Sequence, residues 1–228
     1  MRLLLLHSLF LGPSTWSALS SVLSGHGCDA LAPDLRSALS AGARTYERVA
    51  EQISGLVSDG TVLVVHSGAG AMVPSIQDTA GSRLRSVLFI DALLPHPARS
   101  WFDTLPPEAA NKLRALVVDG FAPPWPSWLP SGMLDQLLPS QNLREALVAE
   151  APNVPLAYLS APAPNLARWP GALGLAYLQL SGAYADEAKE AEKLGWPIER
   201  LAGHHLSMIT QPELVGASLL RLAAQLAD

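Results

Sequence analysis

The chain has 228 residues, 49% of them hydrophobic, which is the length of one domain and enough apolar material for a large core, so intrinsic disorder is excluded. With 15 Lys and Arg against 20 Asp and Glu the formal charge is −5, no basic field exists to hold a phosphate backbone, and nucleic acid is not an expected partner. The single cysteine, Cys28, closes no disulfide within the chain and builds no CxxC metal or redox site, which fits a reducing cytoplasm.

Short apolar runs alternate with segments of helical spacing along the chain. The first run, residues 2–6, follows one positive charge and superficially resembles the start of a signal peptide. His7, Ser8 and Gly12-Pro13 interrupt it, however, and Trp16 stands where a small-residue cleavage site is wanted. No stretch reaches the roughly 18–20 apolar residues of a membrane span, so a soluble cytoplasmic protein without a membrane partner is expected. Runs at 30–32, 62–65, 87–90, 177–180 and, with a fainter pattern, 198–201 read as further strands. Residues 15–23, 45–58, 70–79 and 187–194 carry apolar positions three or four apart and read as helices, as does the closing segment 213–226. Strands apolar throughout are those of a parallel sheet covered on both faces, so the pattern predicts a single doubly wound α/β domain over 1–228, with ligands at the strand C-termini.

One region breaks this rhythm. Of 19 prolines, 14 fall between Pro95 and Pro170, together with Trp101, Trp125, Trp128 and Trp169. A structureless loop of that length is unusual inside a compact domain, so 95–170 is expected to be short helices joined by prolines, forming a lid. The run Phe121-Ala122-Pro123-Pro124-Trp125-Pro126-Ser127-Trp128 would expose aromatic surface unless it covered an apolar cavity, which makes Trp125 and Trp128 candidate substrate-binding residues.

The sharpest local signal is Val62-Leu63-Val64-Val65-His66-Ser67-Gly68-Ala69-Gly70-Ala71-Met72, an apolar strand that ends at a serine and passes into small residues opening a helix. A nucleophile elbow has this form: a strained strand-to-helix turn exposes the hydroxyl while backbone N–H groups at the helix start face an oxyanion. The usual spacing is G-x-S-x-G, and Val65 and Ala69 hold both glycine positions here. Alanine fits such a turn and valine would crowd it. The plainer reading of the segment is a strand followed by a Ser/Gly-rich helix cap.

Three further segments bear on the choice. They are His7-Ser8-Leu9-Phe10-Leu11-Gly12-Pro13-Ser14-Thr15-Trp16, then Ala32-Pro33-Asp34-Leu35-Arg36, and finally Gly203-His204-His205-Leu206-Ser207-Met208-Ile209-Thr210-Gln211-Pro212. In this order, with the elbow, they resemble the α/β-hydrolase superfamily, whose first strand ends in an HG-x loop with a later Trp, whose second ends in a P-D-L-R stretch, and whose catalytic histidine lies about seven residues before a proline. The resemblance implies Ser67 as nucleophile and His205 as general base, with His204 as its fallback. It also implies an acid after one of two strands, Asp91 or Asp186. The later slot is usually G-x-x-D, which falls on Ala185 rather than Asp186, so Asp91 is preferred. Two alternatives stand: Asp91 capping the turn after its strand, and Asp186 as N-cap of the helix 187–194.

For the oxyanion the resemblance implies the backbone N–H groups of Gly68 and Leu9. The glycine usual before the latter is Ser8, whose hydroxyl either adds a donor near the substrate or ties down the loop. Phe10 and Met72 either line the pocket or pack in the core. Typical members begin with an antiparallel hairpin, whereas Met1 here starts the strand ending at His7, so about six strands, all parallel, are expected.

No G-x-x-x-x-G-K-[ST] or G-x-G-x-x-G follows a strand, and adjacent His204 and His205 would face opposite ways on an extended chain, so neither a nucleotide cofactor nor a metal is expected. The leading expectation is a serine hydrolase of small to medium apolar esters, thioesters or lactones, acting through an acyl-enzyme on Ser67, as monomer or homodimer. One alternative keeps the fold and uses His205 as base in an elimination, cyclisation or acyl transfer. Another is a ligand-binding protein on a hydrolase scaffold.

Overall fold

The computed structural model of the chain describes residues 1–166 and 169–226. Its strands are β1 (Arg2–Leu6), β2 (Asp29–Leu31), β3 (Thr61–Ser67), β4 (Ser86–Ala92), β5 (Phe121–Ala122), β6 (Val154–Pro155), β7 (Gly174–Gln179) and β8 (Ile198–Arg200). β5 and β6 pair antiparallel as a small ribbon, and the other six form one sheet in the order β2-β1-β3-β4-β7-β8. Every pairing in that sheet is parallel, as its apolar runs predict. Among the described residues the helices are α1 (Ser17–Gly25), α2 (Thr45–Ser54), α3 (Val73–Ala80), α4 (Pro107–Ala115), α5 (Met133–Leu137), α6 (Gln141–Glu150), α7 (Leu156–Ser160), α8 (Ala185–Lys193), α9 (Ser207–Thr210) and α10 (Pro212–Gln225).

The period of two along each strand divides the core. Leu4, Leu6, Leu63, Val65, Val87 and Phe89 point to the face packed by α2, α3 and α8. Their neighbours Leu3, Leu5, Val62, Val64, Leu88 and Ile90 point to the face packed by α1 and α10. Each such side chain removed from water is worth roughly 1.5–3 kcal/mol before the opposing chain entropy.

Several boundaries differ from the sequence expectation for local reasons. A 3₁₀ turn, Pro13–Trp16, precedes α1, since Pro13 opens it and the Thr15 hydroxyl donates to the Gly12 carbonyl. α2 stops at Ser54, before Gly55, and the N–H groups of Leu56 and Val57 fold back on Ile53. Leu180 leaves β7 because its N–H turns to the Asp91 carboxylate instead of the ladder.

Between β4 and β7 the chain makes a long excursion that contains α4 to α7 and the β5/β6 ribbon. The proline-linked short helices expected for 95–170 are there, and residues 167 and 168 of that span lie outside the described residues. Pro107 opens α4 and Pro155 immediately precedes α7, positions where a missing N–H is tolerated. Trp101, Phe102, Ala122, Val154 and Tyr158 bury themselves in the cluster on the α2/α3 face, so the excursion is continuous with the core. Among the described residues no helix is long and apolar enough to cross a membrane.

Candidate active site

The C-terminal ends of β1, β3 and β4 converge on one cavity of about 600 Å³, within the range of small-molecule sites. Ser67 ends β3 with φ 56° and ψ −130°, a conformation that costs a non-glycine residue about 1–3 kcal/mol. The surroundings hold it there: the Ser67 carbonyl accepts from Leu93 N–H at 3.0 Å, and the tight turn Gly68–Met72 leads directly into α3. A Cβ on Gly70 would stand 2.0 Å from the Leu93 carbonyl oxygen, so it is this glycine that lets the turn approach β4. Val65 causes no crowding, because it lies within β3 and packs its side chain into the α2/α3 face.

β4 bulges opposite Ser67, pairing it with Ala92 and leaving Asp91 out of the ladder at φ 44°. The Tyr177 hydroxyl fixes this bulge by accepting from Ala92 N–H at 3.0 Å and donating to the Ala92 carbonyl at 2.8 Å. Fully buried Asp91 thereby aims its carboxylate across to the loop after β7. Its Oδ1 accepts from Leu180 and Ser181 N–H, each at 2.9 Å, and its Oδ2 accepts from Ser181 Oγ at 2.6 Å and from His205 Nδ1 at 2.7 Å. Burial pushes the carboxyl upward, but the His205 and Ser181 hydrogen bonds outweigh it and hold the group below its ordinary range.

His205 stands between β8 and α9 and lines the cavity with Ser67. With Nδ1–H directed to Asp91, its Nε2 carries the free lone pair. His66 supports it from beneath the elbow, donating Nε2–H to the His205 carbonyl at 3.0 Å and holding its ring 4.4 Å from the His205 ring. Burial, then the neighbouring His205, push the His66 pKa well below its ordinary value and keep it neutral. His204 turns away: Nδ1 accepts from Leu206 N–H at 3.2 Å, and Nε2 meets the Thr210 hydroxyl at 3.0 Å.

The remaining sequence candidates divide. Phe10, Trp125 and Trp128 line the cavity beside Ser67, and the Trp125 ring lies 6.4 Å from that of His205. Ser8 is buried beside the elbow without lining the cavity, and its Oγ accepts from Phe10 N–H at 3.3 Å, which ties down the loop. Met72 is buried in the core. His7 anchors the same loop, donating Nδ1–H to the Ser8 carbonyl and accepting Leu35 N–H at Nε2, and burial lowers its pKa. Gly68 adjoins Ser8, whose Oγ lies 3.5 Å from where a Gly68 Cβ would be. Asp186 does not cap α8, which starts at Ala185 with Tyr184 as N-cap; it lies in the first turn with a side chain 92% exposed, paired with Lys189, while the carboxylate bonded to His205 is that of Asp91.

Sequence reading missed three residues. Ser181 completes the Asp91 shell, and Glu187 lines the cavity with its carboxyl raised by burial. Tyr184 is the third: its hydroxyl lies 3.1 Å from Ser67 Oγ, where it is the hydrogen-bond partner of the serine. No described His/Cys/Asp/Glu cluster is arranged to hold a metal. A hollow of about 640 Å³ at the other end of the sheet, near Gln77 and Arg85, has no acid or histidine among its described lining residues.

The model of the alpha/beta hydrolase family matches residues 3–217. The chain belongs to that family. No curated protein matches it in sequence. Among solved structures, this hydrolase-family chain resembles an extracellular α/β-hydrolase from a Paenibacillus species, with 17% identity, TM-score 0.77 and coverage of 97% of this chain and 98% of that one. Polyneuridine aldehyde esterase superposes with TM-score 0.74 at 18% identity, covering 97% and 98% of the two chains. Tomato methylketone synthase I, solved with 2-tridecanone, superposes with TM-score 0.76 at 17% identity, covering 98% of each chain. At such identities these likenesses establish the fold, and the chemistry must be read from the site.

Proposed function

We propose that this protein is a serine hydrolase that cleaves small to medium apolar esters, thioesters or lactones through an acyl-enzyme on Ser67. The observation that carries the reading is the pair of buried Asp91 with His205 at 2.7 Å, which presents the Nε2 lone pair to the cavity where the strained Ser67 ends β3. Asp91 fixes the tautomer, His205 takes the Ser67 proton as Oγ attacks the acyl carbon, and the same proton passes to the departing group. Water then repeats the sequence and frees the acid. The Ser67–His205 hydrogen bond this requires closes with substrate in place, as catalytic hydrogen bonds commonly do. The N–H groups of Gly68 and Leu9 serve as the oxyanion donors, a role supported by the close approach of the β1 loop to the elbow.

The excursion between β4 and β7 acts as a lid. Trp101, Trp125, Trp128, Leu113 and Met133 supply apolar walls, against only Lys112 and Glu187 as charged lining beside His205 among the described residues, which favours an apolar acyl or alkyl group. Lone, half-buried Cys28 suits a cytoplasmic setting.

Treatment with a fluorophosphonate followed by intact-mass analysis tests the reading. Wild type should gain one adduct, absent from Ser67→Ala and nearly absent from His205→Ala. Folded wild type that gains none overturns it. A second reading, His205 acting as base directly on substrate, is favoured by the pairing of Ser67 with Tyr184. It would show as turnover retained in Ser67→Ala.

A further inference from the structure

The loop after β7 is one of the two places where family resemblance puts the acid, and it delivers a phenol instead. Tyr184 holds its hydroxyl 3.1 Å from Ser67 Oγ and lays its ring on His205, with centroids 4.9 Å apart and planes 9° from parallel. One side chain therefore touches both the nucleophile and the base. A serine hydroxyl has one hydrogen to give and two lone pairs to accept with, so Ser67 can donate to His205 Nε2 while accepting from Tyr184. Burial raises the Tyr184 pKa, so the phenol keeps its hydrogen and remains a donor across the working pH range.

We propose that Tyr184 is a catalytic residue: a hydrogen-bond donor to Ser67 Oγ that stabilises this oxygen as it loses its proton and again as it leaves. The proposal rests on the acyl-enzyme reading of Ser67. In acylation the Oγ–H proton moves to His205 Nε2, an Oγ electron pair forms the bond to the acyl carbon, and the carbonyl π pair moves onto its oxygen. Collapse re-forms the carbonyl, breaks the bond to the leaving group, and returns the proton from His205 to it. In deacylation water loses a proton to His205 and bonds to the acyl carbon, the Oγ–acyl bond breaks, and Oγ regains the proton from His205. Tyr184 keeps its own proton throughout. Partial negative charge appears on Oγ at both stages, and the phenol O–H faces it each time.

The Tyr184→Phe variant removes the donor and preserves the ring on His205. Its fluorophosphonate labelling rate and its kcat on a p-nitrophenyl ester should fall about tenfold or more, the effect of losing one hydrogen bond to a charged oxygen. KM and melting temperature should stay near wild type. The acid limb of the pH–rate profile should keep its position, since the Asp91–His205 bond is untouched; a residue that only packed its ring on His205 would leave the Phe variant, which keeps that ring, at the wild-type rate. Labelling and turnover at the wild-type rate would overturn the proposal, and faster labelling would overturn it by making the phenol a restraint on Ser67. Failure of the wild type to label is a different result, which removes the acyl-enzyme reading and this proposal with it.

Discussion

Replacing Asp91 by Asn separates the chemistry of the site from its architecture. The backbone at Asp91 has φ 44°, a conformation asparagine accepts as readily as aspartate, so the substitution adds no strain that alanine would. Of the four hydrogen bonds to the carboxylate, the amide oxygen can keep those from Leu180 and Ser181 N–H, and the Ser181 hydroxyl can rotate to accept from the new NH₂. The bond from His205 Nδ1–H cannot survive, because two donors then face each other at 2.7 Å. The imidazole resolves the clash by moving its hydrogen to Nε2, which turns the base into a donor. One charge-assisted bond is worth about 1.5–3 kcal/mol in stability, and removing a buried charge offsets part of it, so the fold should lose no more than about 2 kcal/mol. A wrong-tautomer defect is worth about 10⁴-fold in rate, or about 5.5 kcal/mol of barrier. Activity should therefore collapse in a protein that still melts near its normal temperature. The assay is kcat/KM on a p-nitrophenyl ester beside a thermal melt, with Asp186→Asn as control, expected near wild type because that side chain is solvent-exposed. Asp91→Asn retaining a tenth of wild-type kcat/KM, or Asp186→Asn matching its loss, would refute the reasoning.

Two further outcomes follow from packing and titration. Gly70→Ala should destabilise by about 3 kcal/mol or more, roughly 10 °C in melting temperature at this chain length, because its Cβ would meet the Leu93 carbonyl oxygen at 2.0 Å. Gly68→Ala meets nothing nearer than 3.5 Å and should melt within about 1 kcal/mol of wild type; equal losses in the two variants would contradict the close-approach argument. His7 and His66 are buried with pKa values below 6.5, so the folded protein stays neutral there while the unfolded chain takes up protons. Stability should be level above pH 6.5 and fall below it, by up to about 1.4 kcal/mol per pH unit for each of these histidines. Melting curves from pH 8 to pH 5 check this, and a melting temperature that rises on acidification would contradict the buried-neutral state.

The sheet was legible in the sequence because strands covered on both faces cannot hide their composition: Leu3 to Leu6 and Val62 to Val65 are apolar at every position. The strand-to-helix turn at Ser67 was legible because an apolar run stops there and small residues follow. The G-x-S-x-G template pointed to the wrong glycines. Tight approach is demanded at Gly70, which faces the Leu93 carbonyl, and Val65 sits where a large side chain fills the core. His204 and His205 could be ranked by their distance from Pro212, but only the turn into α9 decides that His204 bonds Thr210 while His205 faces Asp91. Tyr184 and Ser181 carried no periodic or motif signal, since their roles come from β4 and β7 lying side by side.

That adjacency links the Asp91 carboxylate to the Tyr184 phenol. Asp91 leaves the ladder at a bulge that the Tyr177 hydroxyl pins, and its carboxylate reaches the first N–H groups after β7. A carboxylate bound to the Leu180 and Ser181 backbone fixes where the β7 loop begins, and Tyr184, three residues beyond Ser181, then stands over Ser67 and against His205. Had the acid come from the β7 loop itself, that loop would have had to bring a carboxylate to His205 Nδ1, and its side chains would have been spent on the far edge of the ring. With the carboxylate partner of His205 supplied by β4, the loop is free to face Ser67. The position of Asp91 at the end of β4 therefore leaves the β7 loop room to place the Tyr184 hydroxyl beside Ser67.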